Sequence, residues 1–393
     1  MLLDVNSRTR KTTPIHVWVG KMDYNTAIGK KIDLDAGLKT SISHFTNDIS
    51  YSKLQNSFWQ VDSAFSGVYR LDEYIHAVFG NLNIRVDSKT NMKLGLRYEH
   101  TRSNLNSEKQ KPIIDRSYGQ FFPSVFLSHT LDSTSSINFS YSRRITRPTF
   151  NQLAPFLFFF DLNSYTQGNP ALQPAFSNAV TTDYTYKHLI VSLSYSHVKN
   201  SISVFSAKVD PISNKEIFTG ENIKSLNTAS ATISGSFTLK SWWSMQNNLI
   251  IAWQQAKTTY LSKSVELQNF YYRITSSQNF KLPKDYAIEV TGFFQSPNLR
   301  GRSKQLAYGA LNFGAQRTLA GKKGSLRFTV TDIFNTLTTR FNDYIPEQNL
   351  NGKVRLDFVQ TTFSLTYKYG FGNGKLKAKQ YTTSAEEERK RVD

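Results

Sequence analysis

Arg143, Arg144 and Arg147 stand at the root of a segment, 146–175, that carries Phe156, Phe158, Phe159, Phe160, Tyr165, Gln167 and Asn169. A guanidinium is a planar fork of donors matched to carboxylate and phosphate, and an aromatic face accepts stacked rings and cations. These residue types together describe a loop that contacts an anionic ligand. The segment is about 30 residues long, and irregular connections of that length are usually functional or disordered. Its rings argue for order, because disordered segments are poor in aromatics. A second reading fits the same residues: the loop folds into the mouth of the surrounding structure and its arginines pair with carboxylates there. A second aromatic group, Tyr51, Phe58, Trp59 and Phe65, is open in the same way. Its rings suit stacking on a ligand, or packing within their own loop.

Other chemistry is absent. There is no cysteine, which excludes a disulfide scaffold, a thiolate metal site and a cysteine nucleophile. His16, His44, His76, His100, His129, His188 and His197 show no HExxH and no close pair, so no metal-ligand spacing is present. Gly370-Phe371-Gly372-Asn373-Gly374 has the look of a nucleotide loop, but it ends a strand with no helix after it. No nucleophile elbow and no local carboxylate pair is found. Neither catalysis nor a cofactor is expected. The formal charge of +19 is scattered through the chain, not gathered on one element, which argues against nucleic acid and for solvated or headgroup-facing positions.

What positions these residues is one repeated pattern. Ile137, Phe139 and Tyr141 alternate with Asn138, Ser140 and Ser142, and Ile32, Leu34, Ala36 and Leu38 lie opposite Asp33, Asp35 and Lys39. Period two is a strand with one apolar and one polar face. The pattern recurs some fifteen times, with no apolar run long enough for a membrane helix. Only 39% of residues are hydrophobic while 13% are aromatic. That combination suits a barrel whose apolar face meets lipid, whose interior is wet and whose rims carry rings. The expected fold is all-β, an antiparallel up-and-down transmembrane barrel wall of about fifteen strands.

Seven short connections alternate strictly with seven long ones, near 43–71, 102–118, 146–175, 207–226, 257–267, 296–305 and 336–353. Outer-membrane barrels have short periplasmic turns and long extracellular loops. An odd strand count puts the two ends of the wall on opposite rims, whereas a complete bacterial barrel has an even count. Met1-Leu2-Leu3-Asp4-Val5 also lacks a secretory signal. The expectation is an open partial wall over 1–371, followed by a charged periplasmic tail, 372–393, either flexible or forming a short solvated helix. In the last strand Phe363, Leu365, Tyr367 and Tyr369 face out while Ser364, Thr366 and Lys368 face in. An aromatic-rich terminal strand is what the barrel-assembly machinery engages.

The run Tyr141-Ser142-Arg143-Arg144-Ile145-Thr146-Arg147-Pro148, then Phe150-Asn151-Gln152-Leu153-Ala154-Pro155-Phe156 and Gln167-Gly168-Asn169-Pro170-Ala171-Leu172, resembles the hallmark loop of the outer-membrane β-barrel family that forms the C-terminal part of TonB-dependent receptors. Asp332-Ile333-Phe334-Asn335-Thr336 and the ending Thr366-Tyr367-Lys368-Tyr369-Gly370 fit the same family. The resemblance implies a barrel of about 22 strands, a plug inside it and energised uptake through TonB. Its ligand would be a siderophore, a corrinoid or an oligosaccharide. Nothing in the chain resembles the signal, the N-terminal domain, the plug or the TonB box, so strands eight to twenty-two are expected, not competent for transport alone. The alternatives are a self-contained 14- or 16-stranded passive porin and a surface barrel that transports nothing. A porin would pair its first strand with its last; a receptor segment would leave both edges open.

Overall fold

The computed structural model describes residues 6–391 except 64, 109–110, 154–156, 161–162, 211–213, 261–262, 302, 320–322, 346–349, 358–359 and 372–384. In chain order the elements are β1 (Ser7–Thr12), β2 (Ile15–Ile28), β3 (Ile32–Gln55), β4 (Phe58–Val61), β5 (Gly67–Arg85), β6 (Thr90–Ser107), β7 (Ile114–Thr130) and β8 (Ser135–Thr146). Then come α1 (Phe150–Leu153), β9 (Leu157–Phe159), β10 (Ser164–Gln167), β11 (Ala175–Tyr186), β12 (Leu189–Val209), β13 (Glu216–Lys240), β14 (Trp243–Tyr260), β15 (Lys263–Leu282) and β16 (Tyr286–Gln295). The remainder are β17 (Asn298–Arg300), β18 (Ser303–Gln305), β19 (Tyr308–Thr318), β20 (Gly324–Thr331), β21 (Thr339–Ile345), β22 (Leu350–Leu356), β23 (Thr362–Tyr369) and α2 (Glu386–Arg389).

Fifteen of these strands form one continuous antiparallel wall in the order β2-β3-β5-β6-β7-β8-β11-β12-β13-β14-β15-β16-β19-β20-β23. Among the described residues the wall does not close: β2 pairs only with β3, and β23 only with β20. The expected open sheet is what the chain forms. β17, β18, β21 and β22 make a small separate sheet from the last long connections.

The two faces follow the alternation. Leu38, Val78, Leu96, Phe121, Leu193, Ile251 and Phe270 are exposed on the side that meets lipid. The opposite face is polar, with contacts such as Asn83 Nδ2 to Asp35 Oδ2 at 2.9 Å. Near the short-turn rim Trp242, Trp243 and Phe280 stack with centroids 5.8–6.2 Å apart, as amphipathic rings do at headgroup level.

Short turns are built by their own side chains. Lys284 and Asp285 have φ of +61° and +60°, left-handed values that close the three-residue turn Pro283–Asp285 between the paired Leu282 and Tyr286. Between β7 and β8, Asp132 accepts from Ser135 Oγ and from the Thr134 amide and hydroxyl, the latter two at 2.7 Å. Those side-chain bonds, Ser135 first and Thr134 next, lower the Asp132 carboxyl to about 2. A carboxyl depressed on folding stabilises above its unfolded value of ~3.9 and loses that contribution as pH falls through the folded value. NMR titration of the Asp132 carboxyl should therefore show a midpoint near 2, and Thr134→Val should move it up.

Strand lengths correct the boundaries read from alternation. β3 has 24 residues and β13 has 25, where the pattern marks only 32–42 and 228–239. Much of the expected loops 43–71 and 207–226 is strand. The backbone ladder continues past the hydrocarbon layer, but there the outer face no longer meets lipid and the inner face buries polar and apolar residues alike, such as Ser43, Phe45, Asn47 and Ile49, so the apolar–polar signal that reveals a strand fades.

Candidate functional site

The described residues of the segment 146–175 form a folded cover, not an open loop. Register lines up Ile15, Phe45, Leu71, Leu105 and Ile114 in one row across β2, β3, β5, β6 and β7, on the lumenal face near the long-connection rim. On this row sit Phe150, Leu153 and Leu172. Phe150 is 1% exposed and stacks on Phe45 at 5.2 Å. α1 starts with a reciprocal pair: Thr149 N–H donates to Gln152 Oε1 at 2.9 Å, and Gln152 N–H to Thr149 Oγ1 at 3.3 Å. Asn169 shapes the return. Its Nδ2 donates to the Gly220 carbonyl at 2.9 Å, and its Oδ1 accepts from the Ala171 amide at 2.9 Å. Arg116 caps the carbonyls of Ala171 and Leu172. Gln167 lies in β10, which runs parallel to β13 and carries the cover across to the far wall.

The three arginines separate. Arg147 Nη2 reaches Glu99 Oε2 at 2.7 Å and Thr101 Oγ1 at 3.0 Å, and Arg97 holds the other Glu99 oxygen at 2.5 Å. Burial works against the Arg147 charge, but Glu99 and then Tyr118 more than offset it and raise its affinity for the proton. Arg143 donates to Gln120 at 2.8 Å and lies over Phe176 at 5.6 Å. Arg144 is exposed, and alternation places it with Asn138, Ser140 and Ser142 on the polar face.

The two aromatic groups meet in part. Tyr51, Phe65, Phe159 and Tyr165 form one ring cluster, with centroids 5.0–5.8 Å apart. Tyr51 and Tyr165 are only 5% and 8% exposed. Burial pushes the Tyr165 phenol up, and Asp210 adds to it. These rings pack on one another. Trp59 stands apart in β4, 40% exposed, with the Arg8 guanidinium 4.5 Å from its ring. Phe156 and the Phe158 side chain lie outside the described residues.

Residues 385–391 of the charged tail join this site. Glu387 and Glu388 pair with Lys39 of β3 at 2.8 and 3.0 Å, and Arg391 pairs with Glu73 of β5. Arg391 also donates to the Pro148 carbonyl at 3.2 Å and covers Phe150 at 4.7 Å. Glu388 is 5% exposed. The short helix is therefore neither free nor fully solvated here, because its charges find complements on the polar face of the wall. For Glu387 burial raises the carboxyl, but the Lys39 contact outweighs it and the net shift is downward. Lys39, Glu73, Glu99 and Thr101 escape motif reading, because their pairing is set by strand register and not by spacing along the chain.

Comparison with known proteins agrees with this geometry. Residues 3–367 match the outer membrane protein beta-barrel family. The copper transporter OprC superposes with a TM-score of 0.65 at 12% identity, over 92% of this chain and 58% of that one. The ferric yersiniabactin uptake receptor FyuA from Yersinia pestis gives 0.65 at 11% identity, over 93% and 56%. The ferric-catecholate import receptor Fiu from K12 E. coli gives 0.62 at 11%, over 92% and 55%. The chain thus spans a little over half the length of these solved structures, whose barrel fold it shares. No curated protein matches. With its wall, its rim asymmetry and a family match over nearly the whole sequence, the chain belongs to the outer membrane protein beta-barrel family and has a TonB-dependent-receptor-like fold of the gram-negative outer membrane.

Proposed function

We propose that this chain is the C-terminal wall of an energised outer-membrane receptor, with the plug and the strands that complete the barrel outside it. The observation that carries the reading is the open wall: fifteen strands whose first and last members, β2 and β23, keep unpaired edges among the described residues. Unsatisfied backbone groups in hydrocarbon cost several kcal/mol each, so such edges demand further strands. A passive 14- or 16-stranded porin would instead pair β2 with β23. The exposed row Phe363, Leu365, Tyr367 and Tyr369 on β23 suits a terminal strand engaged by the assembly machinery.

The neighbours named above handle copper and ferric chelates. An anionic chelate is the ligand class that Arg144 on the lumenal face favours; a corrinoid or an oligosaccharide is also within reach of such a barrel. Arg147 serves the cover, and Arg143 serves the wall. In the full-length receptor, Arg144→Ala should lower energised uptake of a labelled anionic ferric chelate about tenfold, the value of one charge-assisted contact, with membrane insertion unchanged. Uptake that persists after the proton-motive force is dissipated would refute energised transport and favour the porin.

A further inference from the structure

On the lipid-facing side of β15, β16 and β19 a groove of about 990 Å³ opens beside the turn that follows β20. This falls at the upper end of the ~300–1,000 Å³ typical of ligand sites. Ile274, Val290, Gly292 and Leu311 line its floor, and Tyr272 and Phe334 its sides. The face is fixed by register: Tyr272 lies opposite Ile251, and Ile274 opposite Phe294. All four of these side chains are 43–50% exposed on the apolar side of the wall. Gly292 keeps the floor low, since a Cβ there would meet the Ala310 carbonyl oxygen at 3.1 Å and Leu311 Cδ1 at 3.0 Å.

The upper border of this apolar groove is cationic. Arg340 and Arg355 both line it and stand directly opposite each other in the β21–β22 hairpin. Like charges so placed repel unless an anion lies between them. Asp357 takes one bond from Arg355 at 2.8 Å, and Arg340 donates to the Ala307 carbonyl at 3.1 Å. One carboxylate against two guanidiniums leaves positive charge in excess. A neighbouring groove of about 520 Å³ shares Tyr272 as a wall and is bordered by Lys304. Three cations therefore crown two adjoining apolar grooves on the hydrocarbon side, at the long-connection rim.

We propose that these grooves hold an outer-leaflet lipid bearing a phosphate, with its acyl chains along Tyr272, Ile274 and Val290 and its phosphate between Arg340 and Arg355. Hydrocarbon surrounds the grooves, so chains fill them at no desolvation cost, and a guanidinium pair grips phosphate bidentately. A soluble anion would gain only the charged border.

The test is native mass spectrometry of the full chain in detergent, titrated with phosphatidic acid, with phosphatidylcholine of the same chains, and with inorganic phosphate. Phosphatidic acid should bind best. The R340Q/R355Q pair should weaken it roughly 25-fold, about fivefold for each cation removed near a charged lipid surface. Lys187→Gln, at the opposite rim, should change nothing. Should the arginine pair fail to fold, Val290→Trp fills the groove and leaves the cations in place, and it should also displace the lipid. Equal binding of both lipids, inorganic phosphate binding as tightly as phosphatidic acid, or full retention in either groove variant would overturn the proposal.

Discussion

Replacing Phe150 with alanine will release the cover, 148–172, from the wall at a cost of about 3–5 kcal/mol, the range for an aromatic ring truncated in a packed core. Phe150 is 1% exposed, stacks on Phe45 at 5.2 Å and touches the row Leu71–Leu105–Ile114. It also receives Arg391 on its other side at 4.7 Å. Two separate pieces of chain thus depend on one ring. Hydrogen exchange is the appropriate measurement, because the wall's ladder bonds do not involve this side chain. Amides of α1 and of the Asn169 turn should exchange about 150- to 5,000-fold faster, the equivalent of that cost at ~1.4 kcal/mol per factor of ten, while those of β5 and β6 keep their protection. Uniform loss across wall and cover would mean that Phe150 holds the barrel and not the cover.

Arg147→Ala is expected to have the next largest effect. Removing one member of a buried ion pair costs about 3–5 kcal/mol, because the other charge is stranded. Here the loss should sit toward the lower end, since Arg97 keeps its 2.5 Å contact with Glu99. A double-mutant cycle with Glu99→Gln isolates the pair. If the Glu99 contact at 2.7 Å holds the loop root, the second substitution should recover most of the loss. Independent, additive effects would show that Arg147 acts elsewhere, through Thr101 or a ligand.

The fold was largely readable from alternation, because lipid forces a strict apolar face on every crossing strand. Ile137-Phe139-Tyr141 and Ile32-Leu34-Ala36-Leu38 marked β8 and β3 correctly, and the count of fifteen wall strands stands. The pattern failed where the constraint lifts. Residues 43–55 of β3 carry no consistent apolar face, so Ser43, Asn47 and Tyr51 looked like loop while they form ladder, Ser43 and Asn47 with β5 and Tyr51 with β1. The arginine run was visible as chemistry, but not the division of labour within it. Arg147 finds Glu99 only because β6 and the end of β8 are brought together by strands far apart in sequence, and no local spacing encodes that. Tyr51 and Tyr165 were singled out separately, and only the folded cover shows that they share a cluster, each against Phe159. The tail's acidic and basic run read as solvated for the same reason: its complements, Lys39 and Glu73, lie on distant strands.

The reach of β3 bears on how the molecule meets its surroundings. Twenty-four residues at ~3.4 Å each, tilted by ~40°, rise about 60 Å, against an apolar band of ~25 Å. The hairpin tip with Phe58 and Trp59 therefore stands as a turret well clear of the bilayer. Under the proposed receptor function, a solute from the medium would meet this protein rim before it nears the headgroups.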